Sequence, residues 1–276
     1  MTTTRDVILI QASRSLFDLE FRAIWQHREL LYFLAWRDVK VRYKQTMIGA
    51  GWAILNPLIT VLIFTLVFGY FAQIPSDGLP YPVFAIAALL PWTFFSQALS
   101  RSAGSLVGSA GLITKVYFPR VKIPLASTAI PAVDFVFSLL ALAGLMIWYR
   151  MPPTWNLLAL PLFLFLAWFT ALALGLLLSP VNVRYRDVGY TVPFLLQLWM
   201  YASPVVYPLS LVPERWRPFY SLNPMVGVIE GFRWSLLAMQ KPDFELMVIS
   251  AAVVICLLFF GLVWFRWMDR TSADVI

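Results

Sequence analysis

Long charge-free stretches constrain this chain more than any motif. A helix needs about 20 apolar residues to cross the hydrocarbon core of a bilayer. Residues 45–76, 78–100, 151–183, 188–213 and 246–265 carry no Asp, Glu, Lys or Arg, and 123–149 is interrupted only by Asp134. These runs predict six membrane-spanning helices, near 48–71, 82–106, 123–149, 155–179, 188–207 and 246–267. The fold class is therefore all-α, a polytopic membrane protein in one membrane domain (1–276), with no tandem repeat and no soluble domain. Composition agrees: 61% of the 276 residues are hydrophobic and 13% charged, about half the charged share of soluble domains. No cleavable signal peptide is expected, and the first span should serve as its own insertion signal.

The stretch 208–242 breaks the pattern. It holds Pro208, Pro213, Pro218, Pro224 and Pro242, and its longest apolar run, 218–229, is 12 residues. That is too short to span, so short re-entrant helices are expected there.

Orientation follows from the basic residues. With the N-terminus inside, the cytoplasmic segments hold 15 Lys and Arg, eight of them before Gln45, and the outer segments hold five. Both termini are therefore expected in the cytoplasm. The net charge of +7 reads as a topology signal and not as a nucleic-acid surface.

Several segments invite a functional reading. An amphipathic interface helix is expected over 27–45. On a helical projection, Arg37, Lys40 and Lys44 form one stripe, and Tyr32, Trp36, Val39 and Tyr43 form another about 100° away. This suits a lever lying on the membrane, and equally a basic juxtamembrane anchor. Between the second and third spans, 112–120 reads LITKVYFPR. It mixes Leu112, Tyr117 and Phe118 with Lys115 and Arg120, where an idle loop would be small and polar, and suggests a short docking helix. Arg184, Arg186 and Asp187 sit between the fourth and fifth spans. Within spans lie Arg101 and Asp134, and buried charges of this kind face a bundle interior or a cavity. Depth disfavours pairing between these two, and Asp134 is expected to bond to Ser and Thr hydroxyls. The pair Gly104 and Gly108, and Gly49 with Gly51, could allow close helix contact.

Absent motifs narrow the reading further. There is no GxxxxGK[ST] loop, HExxH or GxSxG, no intramembrane histidine and no ladder of carboxylates for a proton relay. The lone Cys256 rules out an internal disulfide and a cysteine metal cluster. No metal site and no cofactor are expected on this chain. A passive pore, or a transporter powered by another subunit, fits better than a pump.

Four strings carry a family resemblance: LLYFLAWRDVKVRYKQTMIGAGWAILNP, LLPWTFFSQALSRSAGSLVGSAGLITKVYFPR, NVRYRDVGYTVPFLLQLWMYASPVVYP and LNPMVGVIEGFRW. Over about 30–267 the chain resembles the membrane permease of type-two ABC exporters of cell-surface polysaccharide, the group that exports O-antigen, capsule and teichoic acid polymers. Asn56 and Ser109 depart from the pattern only at places where variation is expected. The resemblance implies a homodimeric channel in the bacterial inner membrane, with two ATPase subunits beneath it that carry ATP and Mg. It implies a long glycan on an undecaprenyl diphosphate carrier as substrate. It makes the 27–45 helix (Arg37, Lys40, Lys44) and the 112–120 loop (Leu112, Lys115, Tyr117, Phe118, Arg120) the ATPase-coupling elements. It sets Arg184, Arg186 and Asp187 at the cytoplasmic mouth for the lipid diphosphate. It makes 208–242, with Asn223, Pro224, Glu230 and Arg233, an external gate. Trp92, Phe94, Phe95, Trp199, Tyr201 and Tyr207 become candidates for lining the pore, and they equally suit interfacial anchors. Two competing classes are a membrane enzyme acting on lipid-linked sugars, for which Glu230 is the best-placed acid, and a drug or lipid exporter of the same superfamily.

Overall fold

The structure is a computed structural model that describes residues 28–44, 49, 51–115, 118–237 and 244–271. Tyr117 and the predicted limits at 27, 45 and 48 lie outside the described residues. All regular structure among the described residues is helical. Helix α1 is Arg28–Lys44, and α2 is Gly51–Phe64, which continues as a π-helical turn through Thr65–Phe71. Next come α3 (Tyr81–Gly108), α4 (Ala110–Ile113), α5 (Lys122–Ser127) and α6 (Ala129–Trp148). A 3₁₀ turn at Trp155–Ala159 leads into α7 (Leu160–Arg184), followed by α8 (Val188–Tyr201). Two 3₁₀ turns, Leu209–Leu211 and Glu214–Trp216, precede α9 (Arg217–Tyr220), α10 (Pro224–Leu237) and α11 (Phe244–Thr271).

Helix α3 is the column around which the others pack. Its residues from Val83 to Ala88 are fully buried, and apolar residues surround its axis instead of forming one stripe, as a helix enclosed on all sides requires. It packs most extensively against α7 and also meets α2, α6, α8 and α10. By contrast α2 leaves Leu62, Ile63, Leu66 and Val67 exposed, a face suited to lipid.

Five segments are long and apolar enough to cross a membrane: Gly51–Phe71, Tyr81–Gly108, Lys122–Trp148, Trp155–Arg184 and Glu245–Asp269. The predicted fifth span differs. Helix α8 has only 14 residues, about 21 Å at 1.5 Å per residue. It gives way to a turn containing Pro204, whose ring cannot extend a helix. The contacts at its flanks explain how the chain nonetheless runs the length of α3. Just before α8, the Asn182 amide donates to the Ala103 carbonyl at 3.1 Å. Just after it, the Tyr81 hydroxyl donates to the Val206 carbonyl at 2.9 Å. The chain thus runs from one end of α3 to the other as a short helix plus an ordered turn.

This pairing defines two ends. The basic end holds Lys115, Arg120, Arg184 and Arg186, and the opposite end holds 72–80 and 202–223. At the latter, α10 is buried between α3, α7 and α11. Its 14 residues are too few to span, and 238–242 of the expected re-entrant segment lie outside the described residues.

Close approach between helices depends on glycines other than the expected Gly104 and Gly108. A side chain at Gly104 or Gly108 would meet nothing within 4 Å. A Cβ at Gly261 of α11 would lie 2.6 Å from the Ala173 carbonyl oxygen of α7, and one at Gly231 of α10 would strike the Phe163 ring. Without a hydrophobic drive between helices in lipid, backbone-close contacts of this kind hold bundles together. Gly261→Ala should therefore destabilise the solubilised protein by about 1–3 kcal/mol. Gly104→Ala should leave it unchanged or slightly raised. Thermal unfolding in detergent distinguishes the two.

Candidate functional site

The last turn of α1 reaches a carboxylate in α6. Arg42 Nη2 lies 2.6 Å from Asp134 Oδ2, and Arg42 Nε donates to Asp134 Oδ1 at 3.3 Å. The Tyr43 hydroxyl donates to the same Oδ1. Asp134 is 6% exposed, so its charge depends on these donors, and the forked arginine supplies two at once. Burial first, and then the bond to Asp134, push the Tyr43 phenol up to about 12. Ser138 does not serve the carboxylate. Its hydroxyl bonds to the Asp134 and Ala53 carbonyls. The expected Ser and Thr partners of Asp134 are thus replaced by Arg42 and Tyr43. Helix α1 packs along α5 and α6, which brings a juxtamembrane arginine level with Asp134. Arg37, Lys40 and Lys44 are all exposed, and Arg37 pairs locally with Asp38 at 2.8 Å. Arg42 lies outside both predicted stripes, and Tyr43 belongs to the aromatic one.

The 112–120 loop is tied to the bundle as well. Phe118 is buried in a small apolar cluster with Leu106, Ile123, Leu172, Leu176 and Phe265. Leu112 and Ile113 pack against it, and so does Leu30 of α1. Lys115 is exposed. Arg120 Nη1 lies 3.0 Å from Asp269 Oδ1 near the end of α11. Arg184, Arg186 and Asp187 are exposed at the same end.

Of the six aromatic candidates, Trp92, Phe95 and Trp199 form one cluster. Phe95 meets Trp199 edge-on with ring centres 5.2 Å apart, and Trp92 lies 5.4 Å from Phe95. Phe94 points elsewhere, packing edge-on against Phe135 at 5.7 Å. Within this chain Trp92, Phe94 and Phe95 are buried. Tyr201 is exposed, and its carbonyl accepts a bond from the Tyr207 hydroxyl at 3.1 Å.

At the opposite end, Arg233 of α10 is 1% exposed. Its Nη2 donates to the Val205 carbonyl at 3.0 Å, and its Nη1 donates to Glu230 Oε1 at 3.1 Å and to the Tyr207 carbonyl at 3.4 Å. The guanidinium lies 3.7 Å from the centre of the Phe84 ring, a desolvated cation–π contact. One side chain therefore clamps the turn after α8 to both α10 and α3. Glu230 is its counter-ion. Asn223 bonds to Ser203 Oγ at 2.8 Å, and its Oδ1 accepts from the Met225 amide at 3.1 Å, with Pro224 opening the helix between them.

Two clefts flank α3. One, of about 640 Å³, opens between α3 and α8 and is lined by Arg42, Ser96, Gln97, Ser100, Arg101 and Gln197, among others. The other, of about 290 Å³, lies between α2, α3 and α6 and is lined by Asn56, Thr60, Gln97 and Asp134 among others. Arg42 borders both. No group of three or more metal-ligating side chains occurs among the described residues.

Asp134→Ala and Arg42→Ala should each destabilise the protein by about 1–3 kcal/mol, the range for an orphaned partner of a charged hydrogen bond that is part-solvated. Thermal unfolding of both variants and the double variant should give a loss well below the sum. Additive losses would show that the two groups do not interact.

Comparison with known proteins assigns the chain. Residues 29–237 match the family described as ABC-2 type transporter. The chain is 32% identical over 240 residues to the O-antigen export system permease protein RfbA of Myxococcus xanthus, covering 86% of this chain and 91% of that protein. It is 27% identical over 251 residues to an O-antigen export system permease protein RfbA of Klebsiella pneumoniae, covering 90% and 95%. It is 25% identical over 245 residues to the polysialic acid transport protein KpsM of Escherichia coli, covering 85% and 91%. With its membrane-crossing helices packed around α3, and these relatives matched along most of its length, this multi-pass chain belongs to the ABC-2 type transporter family of membrane permeases.

Proposed function

We propose that the chain is the channel-forming subunit of an ATP-driven exporter that moves undecaprenyl-diphosphate-linked polysaccharide, of the O-antigen type, across the bacterial inner membrane. Two copies form the path and two ATPase subunits sit beneath the basic end, holding the ATP and Mg. The chain makes six crossings, with α8 and the turn after it as the fifth, and both termini face the cytoplasm. The names of the relatives, O-antigen export permease and polysialic acid transport protein, support the substrate class.

The observation that carries the coupling half of this reading is the shared apolar cluster of α1 and the 112–120 loop. Leu30, Leu112, Ile113 and Phe118 pack together on Leu172, Leu176 and Phe265. A push on the loop cannot dissipate in solvent, because its apolar residues are wedged against α7 and α11. Two ion pairs extend the connection: Arg120 to Asp269 of α11, and Arg42 to Asp134 of α6. In this mechanism the ATPase pair closes on ATP, presses on Lys115 and its neighbours, and moves α1 and the loop as one body. That separates the helices between the two permease copies. Arg184 and Arg186 receive the diphosphate at the cytoplasmic mouth, Asp187 keeps the mouth from binding it too tightly, and aromatic side chains offer flat faces along which sugars slide. The segment 208–242, clamped by Arg233, gates the outer side.

Copurification tests the assembly. A tagged full chain should bring down an ATPase subunit carrying a phosphate loop, and deleting the chain should remove surface polysaccharide while its lipid-linked precursor accumulates inside. Phe118→Asp should lower transport-coupled ATP hydrolysis several-fold while the protein still inserts in the membrane. Transport by the isolated chain without any ATPase, or unchanged surface polysaccharide in the deletion strain, would sink the reading.

A further inference from the structure

The mouth residues Arg184 and Arg186 account for an anion arriving at the basic end. They leave unexplained the arginine that stands deeper, in the cleft between α3 and α8. The charged groups that act electrostatically on Arg101 are Arg42, Asp134 and Asp38. Arg42 is committed to Asp134 at 2.6 Å and Asp38 to Arg37 at 2.8 Å. Three arginines against two carboxylates leave one positive charge uncompensated. Among the described residues Arg101 makes no hydrogen bond or ion pair of its own, and the same holds for the side chains of Gln97, Ser100 and Gln197, which line the same cleft. A charge inside a membrane helix is costly and is retained where it faces a partner or a cavity. Here the cavity is present, of about 640 Å³, and no anion among the described residues fills it.

We propose that the Arg101 cleft is an anion-binding station for a phosphoryl group, lying one step further along the path than the basic mouth. The inference rests on the export reading for its physiological role, and it names a position within that path. A guanidinium presents parallel donors that match two oxygens of a phosphate. The amides of Gln97 and Gln197 and the hydroxyl of Ser100 add neutral donors for the remaining oxygens or for the hydroxyls of an attached sugar. Trp92 offers the wall of the cleft an aromatic edge. The position suits a relay. Arg101 stands two residues inward of Ala103, whose carbonyl meets Asn182 at the basic end, and Gln197 lies ten residues beyond Asp187 along α8, about 15 Å of helix, so the cleft leads inward from the mouth. One uncompensated charge suits a station that must also release its ligand, where a cluster of several would trap it.

Binding to the purified full chain in maltoside micelles, without added phospholipid, tests the proposal. The probes are inorganic pyrophosphate and undecaprenyl diphosphate, followed by calorimetric titration. Wild type should bind undecaprenyl diphosphate, and Arg101→Gln should weaken it by about tenfold or more, the size expected for one charged hydrogen-bonding group. Arg101→Lys should recover part of the affinity. Arg215→Gln, which removes an exposed charge at the opposite end, should bind like wild type. Similar affinity for both probes assigns the site to the phosphoryl group itself, and much tighter binding of the lipid probe assigns it to the lipid-borne form. Arg101→Gln that binds as tightly as wild type, or a wild type that binds neither probe, overturns the proposal. The two readings fail separately. A chain that binds the probes but whose deletion leaves surface polysaccharide intact loses the export role and keeps the cleft. A chain required for export whose Arg101→Gln variant binds and exports normally keeps the role and loses the cleft.

Discussion

Burial of α3 on every side is the condition on which the rest of this molecule depends. Lipid tails are as apolar as the helix, so nothing squeezes α3 into the centre for the sake of hiding apolar surface from water. What holds it there is close packing. Gly175 lets α7 settle against Ser102 of α3, and aromatic rings of α3 interlock with Trp199 on one flank and Phe135 on the other. Helix α11 then presses on α7 through Gly261. The bundle is a set of close contacts radiating from one column.

Charge plays the complementary part at the two ends. Three ionic side chains tie peripheral elements to the column or its neighbours. Arg42 and Tyr43 bring α1 onto Asp134, and Arg120 brings the loop after α3 onto Asp269. At the opposite end Arg233 fastens the turn after α8 to α10 and to Phe84. Only Arg233, 1% exposed, would leave an unsolvated charge if its pair were broken, which costs far more than the pair contributes when intact. In the proposed export mechanism these are the elements to be moved or held: the helix and loop at the basic end, and the short helices at the other. Arg101, without a hydrogen bond or ion pair among the described residues, lines the cleft between α3 and α8.

Much of this was legible in the residues. The charge-free runs mark five long helices within a few positions of where they form, because a backbone in lipid has no option but to satisfy itself as helix. Proline spacing marks 208–242 as something other than a span, and the apolar character of LITKVYFPR signals that Phe118 and Leu112 have partners. Other features were not legible. The fifth apolar run, 188–213, is long enough for a helix across the bilayer, yet its helix stops at Tyr201, since the turn at Ser203–Val206 finds partners in Asn223 and Arg233 that a continued helix would not. Helical projection singles out Arg37, Lys40 and Lys44, which face outward, and passes over Arg42. A projection gives faces, and it cannot say which face meets α6. The glycine pair Gly104 and Gly108 has the spacing of a packing motif and no neighbour within 4 Å, while Gly175, Gly231 and Gly261 carry the contacts without a motif to announce them.

The sequence by itself determined that this chain lives in a membrane as a helical bundle, which of its stretches are apolar enough to cross, and which family it joins. The apolar stretches are decided by hydropathy within a window of about 20 residues, and the family by strings spread over most of the chain. Only the tertiary structure decided which charges meet. Asp134 lies 92 residues from Arg42 in the chain, and Arg233 lies 28 from the carbonyl of Val205. Partners so far apart are chosen by how the helices stack and by the rule that a buried charge must find its complement, and that choice exists only once the bundle has formed.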